Sequence, residues 1–229
     1  MPPLPRVSFR LYLITDRRVV RSGDLISACE AALTVARQVA PPGTVALQIR
    51  EKDLSARALY QLALRLREIC TRAGAPLIVN DRVDAAIAAD ADGVHLPSDS
   101  IGISMARKLL GPDRLIGVSS HSPADVAAAA RQGADFAVFG PVFDPLSKPA
   151  GASAWGPNGL GAACGAGAIP VFALGGITPE RTRELFAYPG PVARPAGVAS
   201  IGAIFAADSP AVATAAMLSA LDPSWTRRQ

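Results

Sequence analysis

Cysteine and histidine are scarce in this chain, with three and two copies among 229 residues. Cys29, Cys70 and Cys164 are odd in number and widely spaced, which excludes a disulfide framework. Two histidines without Cys or Glu at ligand spacing exclude a zinc site as well. Cys29 and Cys70 fall inside helical patterns and are expected as buried free thiols. Aromatic residues make up only 5 %, and no basic stretch is interleaved with them. The formal charge of +4 is scattered over Arg17, Arg18, Arg21, Arg181, Arg183, Arg227 and Arg228 among others. That scatter argues against a nucleic-acid partner and suits a basic protein that takes small anions. Long apolar runs are missing too: the longest are strand-length and interrupted, so no membrane partner is expected. Residues 1–6 lack the apolar segment of a secretory leader, and the cytoplasm is the expected compartment.

What is present is apolar bulk in a regular order. Half of the chain is hydrophobic, enough for a large core and too much for a disordered chain. Short β-rich runs alternate with longer Ala/Leu/Arg-rich helical stretches, the pattern of a parallel sheet covered by helices. Strands are expected at 10–15, 45–49, 77–80, 93–96, 115–119, 136–139, 170–174 and 197–200. Helices are expected at 25–40, 56–73, 83–89, 104–110, 124–132, 158–164, 179–186 and 211–221. Ser122 before Pro123, and Thr178 before Pro179, each place an N-cap ahead of a proline at the first helical position. Eight such units predict an α/β fold, a single (β/α)8 TIM barrel over residues 1–229 with short tails at 1–9 and 222–229. The alternative is a doubly wound open sheet, which is weakened because no Gly-x-Gly-x-x-Gly turn follows the first strand. Residues 144–157 form a long Gly/Ala/Ser/Pro-rich loop after the sixth strand, on the face where barrels do chemistry.

The polar residues gather at the C-terminal strand ends. Along the second strand Gln48, Arg50 and Lys52 share one face while Ile49 and Glu51 take the other. Two cations and an amide at a barrel mouth suit a phosphate or diphosphate, or else form a solvated strand end paired with nearby acids. Asn80 and Asp81 close the third strand. Asp81 is a candidate ligand for Mg2+, or the N-cap of the helix that follows. Ser119 ends the fifth strand, with His121 just beyond it as an acid/base candidate. His95 is either a mouth residue or a hydrogen-bonded core histidine. Lys148 lies in the long loop. Gly175 and Gly176 follow the seventh strand, and Ser200, Ile201 and Gly202 follow the eighth. Those two turns are where barrels commonly hold a phosphate on bare backbone N–H groups.

At these residues the chain resembles the thiamine phosphate synthase and thiazole tautomerase (TenI) superfamily. The resemblance runs from Leu11 to about Ile204. It rests on Tyr12-Leu-Ile-Thr-Asp16, Leu47-Gln-Ile-Arg-Glu-Lys52, Asn80-Asp-Arg-Val-Asp84, Ala91-Asp-Gly-Val-His-Leu96 and Ile116-Gly-Val-Ser-Ser-His-Ser122. It continues through Gly133-Ala-Asp-Phe136, Gly140-Pro-Val-Phe143 with Lys148, and Pro170-Val-Phe-Ala-Leu-Gly-Gly-Ile177. The resemblance implies small phosphorylated pyrimidine and thiazole substrates, joined to thiamine phosphate with release of diphosphate. Carried over, Arg50, Lys52, Asn80 and Lys148 hold the diphosphate, and Gln48 lines the pyrimidine site. Asp81 takes Mg2+, Ser119 meets the reacting groups, and Gly176 cradles the thiazole phosphate.

Three stretches depart from the synthase pattern. Ser100 stands where a second Mg2+ carboxylate is usual, with Asp99 one residue early as a substitute ligand. Pro145-Leu-Ser-Lys148 replaces Thr-x-Thr-Lys, and Gly202-Ala-Ile204 replaces Ser-Ala-Ile. Pro97, Ser98 and Ser100 look more like the tautomerase branch. That branch uses no metal or other cofactor, and there His121 would transfer protons on the thiazole. A barrel that binds thiamine intermediates without catalysis is the third reading. The oligomeric state is left open, with a homodimer as one expectation.

Overall fold

The computed structural model describes residues 6–21, 23–144, 154–188 and 193–224, and in it the period-two segments pair in chain order. The strands are β1 (Leu11–Ile14), β2 (Val45–Ile49), β3 (Leu77–Asn80), β4 (Gly93–Leu96), β5 (Leu115–Ser120), β6 (Phe136–Phe139), β7 (Val171–Ala173) and β8 (Gly197–Ser200). Each pairs in parallel with the next, and β8 returns to β1, closing a barrel. The doubly wound alternative is thereby ruled out, and the fold is a (β/α)8 TIM barrel.

The helices are α1 (Leu25–Val39), α2 (Ala56–Ala73), α3 (Val83–Ala88), α4 (Ile103–Leu110), α5 (Pro123–Gln132), α6 (Gly156–Gly165), α7 (Pro179–Ala187), α8 (Gly202–Phe205) and α9 (Pro210–Leu221). The expected caps form: Ser122 Oγ accepts from Asp125 N–H at 3.1 Å, and Thr178 Oγ1 from Arg181 N–H at 3.3 Å. Two single turns were not expected, the 3-10 turn Arg17–Val19 and the four-residue α8. Neither is long enough to show a helical period, so pattern reading passes over them. No helix among the described residues is long and apolar enough to cross a membrane.

Strand alternation sorts the side chains into two cores. Leu11, Leu13, Leu47, Ile49, Val79 and Val198 pack outward against the helices, together with Cys29 and Cys70. Phe9, Tyr12, Ala46, Ile78, Phe136, Phe172 and Ala199 fill the barrel itself. Phe9 stacks on Phe172 at 4.8 Å between ring centroids, and Phe136 meets Tyr12 edge-on at 5.5 Å. Gly117 makes room for this plug: a Cβ there would lie 2.2 Å from the Phe136 ring. The aromatic plug seals the lower barrel and leaves the polar residues to the upper end.

Candidate active site

The mouth is built outward from β2. Gln48 pairs in register with Ile78, an interior residue, so it faces the barrel axis. Glu51 has the opposite parity and is buried, as alternation predicts. Its carboxylate accepts the Arg17 backbone N–H (3.1 and 3.2 Å) and the Arg17 guanidinium at 3.0 Å. Arg17 also grips Asp53 through two bonds of 2.7 and 2.8 Å. These carboxylates hold the Arg17 proton more tightly than usual, Asp53 foremost. Glu51 and Asp53 are thus taken up by Arg17. Among the described residues neither Arg50 nor Lys52 has a side-chain ion pair. Thr15 accepts the Arg50 backbone N–H at 2.9 Å and fixes where that half-buried guanidinium starts.

A buried polar layer lies beneath these cations. Gln48 Nε2 donates to the Tyr12 hydroxyl at 2.8 Å, while Gln48 Oε1 has no partner among the described residues. Burial pushes the Tyr12 hydroxyl pKa far above its ordinary value, so it stays protonated. His95 sits in register with Asn80 on β3 and Gly117 on β5, facing inward. Its Nε2 lies 3.0 Å from Ser119 Oγ, and its Nδ1 has no partner among the described residues. Burial, helped by the charge of Arg50, pushes the His95 pKa down to about 3. Ser119, half-buried above it, opens to the mouth.

The next sector is a cleft of about 230 Å³ lined by Glu51, Lys52, Asn80, Asp81, Arg82 and Asp99 among others. Asp81 takes a positive φ of 65° and donates its N–H to the His95 carbonyl at 2.8 Å. Its carboxylate accepts from Ser100 Oγ at 2.5 Å. It does not cap α3: the N-cap position is Arg82, with no side-chain cap bond. The structure therefore excludes the capping role and puts Ser100 beside Asp81, with Asp99 on the same cleft. No group of three or more His, Cys, Asp or Glu side chains forms a metal cage among the described residues.

Across the mouth, His121 Nδ1 lies 3.0 Å from the Gly140 carbonyl. A carbonyl only accepts, so Nδ1 carries the hydrogen and Nε2 is the basic nitrogen. Gly175 and Gly176 have φ of +100° and +60°. A Cβ on Gly176 would lie 2.5 Å from both the Asp144 carbonyl and Arg181 Nη1. Arg181 donates to the Gly176 carbonyl at 2.7 Å and stacks over the Phe143 ring at 4.9 Å. The Gly175 and Gly176 N–H groups have no acceptor among the described residues. At β8, Ile201 packs against the barrel interior, whereas Ser200 pairs with outward-facing Leu13 and is buried on the helix side. Gly202 begins α8 in open space. Lys148 falls within 145–153, outside the described residues.

Sequence reading missed Arg181, which sits on α7 with no signal beyond its charge, and the Tyr12–Gln48 bond, which joins separate units. A larger depression of about 960 Å³ lies at the opposite barrel end. There Arg67 pairs with Asp92, Arg114 with Asp90 and Arg6 with Asp135.

Residues 11–214 match the family described as thiamine monophosphate synthase. A Geobacter sulfurreducens relative is 46 % identical over 220 residues, 96 % of this chain and 98 % of its own length. The thiamine-phosphate synthase of Chloroflexus aurantiacus is 39 % identical over 202 residues, 88 % of each chain. The solved thiamine phosphate pyrophosphorylase of Pyrococcus furiosus superposes with a TM-score of 0.80 at 30 % identity, covering 95 % of this chain and 98 % of that one.

Proposed function

The chain belongs to the thiamine monophosphate synthase family, and on that footing we propose how its mouth carries out the transfer. It is a thiamine-phosphate diphosphorylase-type transferase, joining hydroxymethylpyrimidine diphosphate to thiazole phosphate with release of diphosphate. The bond from the pyrimidine methylene carbon to oxygen breaks, its electron pair leaves with diphosphate, and the thiazole nitrogen forms the new carbon–nitrogen bond. The methylene carbon becomes cationic as the bond breaks, so stabilising the leaving diphosphate supplies most of the rate.

The observation that carries this reading is the division of charge on β2. Glu51 is held by Arg17, so among the described residues Arg50 and Lys52 have no side-chain ion pair, and Lys52 lines the cleft with Asn80 and Asp81. In our reading Arg50, Lys52, Asn80 and Lys148 bind the diphosphate oxygens. Gln48 orients the pyrimidine, and Ser119 donates a hydrogen bond near the reacting groups. Gly175 and Gly176 present free N–H groups to the thiazole phosphate. The donor set fits Mg2+, which needs only one or two carboxylates when substrate phosphates and water complete its shell. Asp81 would hold it with Asp99. Bound there, Mg2+ would neutralise charge on the leaving diphosphate.

The test supplies purified protein with both substrates and Mg2+ and follows diphosphate release. Wild-type protein should turn over, and Asp81→Ala should lose at least about a hundredfold, the scale of losing one preorganised electrostatic partner. Absence of release, together with aromatisation of a thiazole tautomer that Asp81→Ala retains and His121→Ala abolishes, would overturn the transferase in favour of the tautomerase.

A further inference from the structure

Buried His95 and half-buried Ser119 form a pair for which barrel closure has no need. Below them the plug of Phe9, Phe136 and Phe172 fills the interior with apolar rings. Placing an imidazole on top of that plug costs stability unless its polar atoms are satisfied. Yet among the described residues only one of its two nitrogens finds a partner, Ser119 Oγ at 3.0 Å. His95 is 3 % exposed and its one ring hydrogen-bond partner among the described residues is Ser119, so it is neutral and one nitrogen carries the hydrogen. A hydrogen on Nδ1 would leave a buried N–H without an acceptor, the rarer and costlier kind of orphan. A hydrogen on Nε2 leaves only an unused lone pair. The geometry therefore places the hydrogen on Nε2, donating to Ser119 Oγ.

That assignment has a chemical consequence at the mouth. We propose that His95 is a positioning residue that holds Ser119 as a hydrogen-bond donor toward the bound pyrimidine diphosphate. Once Nε2–H occupies one acceptor lobe of Ser119 Oγ, the hydroxyl hydrogen is directed away from the ring and toward the open side. Ser119 is half-buried and in register with interior Val138, so it sits over the barrel axis and the substrate is the acceptor it meets. A neutral donor does this without adding positive charge beside the carbon that becomes cationic, which a lysine would oppose. His95 acts through Ser119 and does not touch the substrate. The proposal rests on the transferase reading for the identity of that substrate.

The experiment compares His95→Leu, His95→Gln, Ser119→Ala and the double variant His95→Leu/Ser119→Ala. It measures diphosphate release and kcat and KM for each substrate, with unfolding midpoints in parallel. His95→Leu should lower kcat about 10- to 100-fold, the usual scale for a hydrogen-bonding partner one step from the reacting groups. KM should stay within about twofold, because the ground-state contacts remain. His95→Gln should recover most of kcat, since its amide returns a neutral N–H at similar reach. The double variant should be no slower than Ser119→Ala alone, because His95 has nothing left to position. Multiplying effects in the double variant, or a His95→Gln enzyme as slow as His95→Leu, overturns the proposal. Nitrogen-15 NMR of the wild-type ring supplies a readout free of turnover. An Nε2–H signal that shifts in Ser119→Ala supports the proposal, and an Nδ1–H signal overturns it. Wild-type protein without diphosphate release would instead overturn the transferase reading, so the two failures are distinguishable.

Discussion

Ser100 shows how much one side chain decides at this mouth. Its hydroxyl donates to Asp81 at 2.5 Å, in the position where the family pattern carries a second carboxylate. An aspartate there would bring two carboxylates together on the cleft that also holds Lys52 and Asp99. Affinity for a hard cation rises with the number of charged oxygen ligands. Ser100→Asp should therefore tighten Mg2+ binding in the presence of diphosphate by about tenfold, or about 1.4 kcal/mol, measured by titration calorimetry. An unchanged affinity would show that Asp81 and Asp99 already suffice and that a third carboxylate adds nothing. At this scale the sequence was legible in parity and opaque in partnership. Alternation alone put Glu51 opposite Gln48, Arg50 and Lys52. That Arg17, 34 residues away, would bind Glu51 and so leave the two cations free has no local signature.

Among the elements, β5 and β6 meet through a fit that allows no extra atom. Gly117 faces the Phe136 ring, and a methyl group there would lie 2.2 Å from Cζ. Phe136 in turn packs against Phe9, Tyr12 and Phe172, so the ring has nowhere to retreat. Gly117→Ala should destabilise the fold by about 1–3 kcal/mol, the usual cost of overpacking a dense core. Urea denaturation would show it as a lower midpoint with an unchanged slope. A midpoint equal to wild type would mean that the plug repacks freely. Strands and long helices were legible here because their periods repeat over several residues, and the Ser122 and Thr178 caps because they are local bonds. The one-turn α8 was not, since four residues complete barely one helical repeat. The role of Arg181 was also hidden, because it joins the end of β7 to the loop after β6 across a gap in sequence.

For the whole molecule, closure of the sheet buries the space between strands and helices on every side. Cys29 and Cys70 lie in that layer, both 0 % exposed. Burial pushes the Cys29 thiol far up and the Cys70 thiol up to about 12, so neither supplies thiolate at neutral pH. In a Cys164→Ser background, a thiol reagent at pH 8 should label both residues only through global unfolding. The labelling rate should then rise with urea in step with the unfolding equilibrium. Rapid labelling of either residue in native protein would reveal local opening of α1 or α2.

The order of eight strand–helix units, the alternation of faces along the second strand and the polar strand ends were determined by the sequence itself. All three follow from short-range periods and from the rule that successive side chains alternate across a strand. Only the tertiary structure decided which of these polar groups are free to act. It paired Glu51 and Asp53 with Arg17, set Ser100 against Asp81, buried Ser200 on the helix side and joined His95 to Ser119. The physical reason is that hydrogen bonds and ion pairs reach about 3 Å. Whether residues from different strands come within that reach is settled only when the barrel closes.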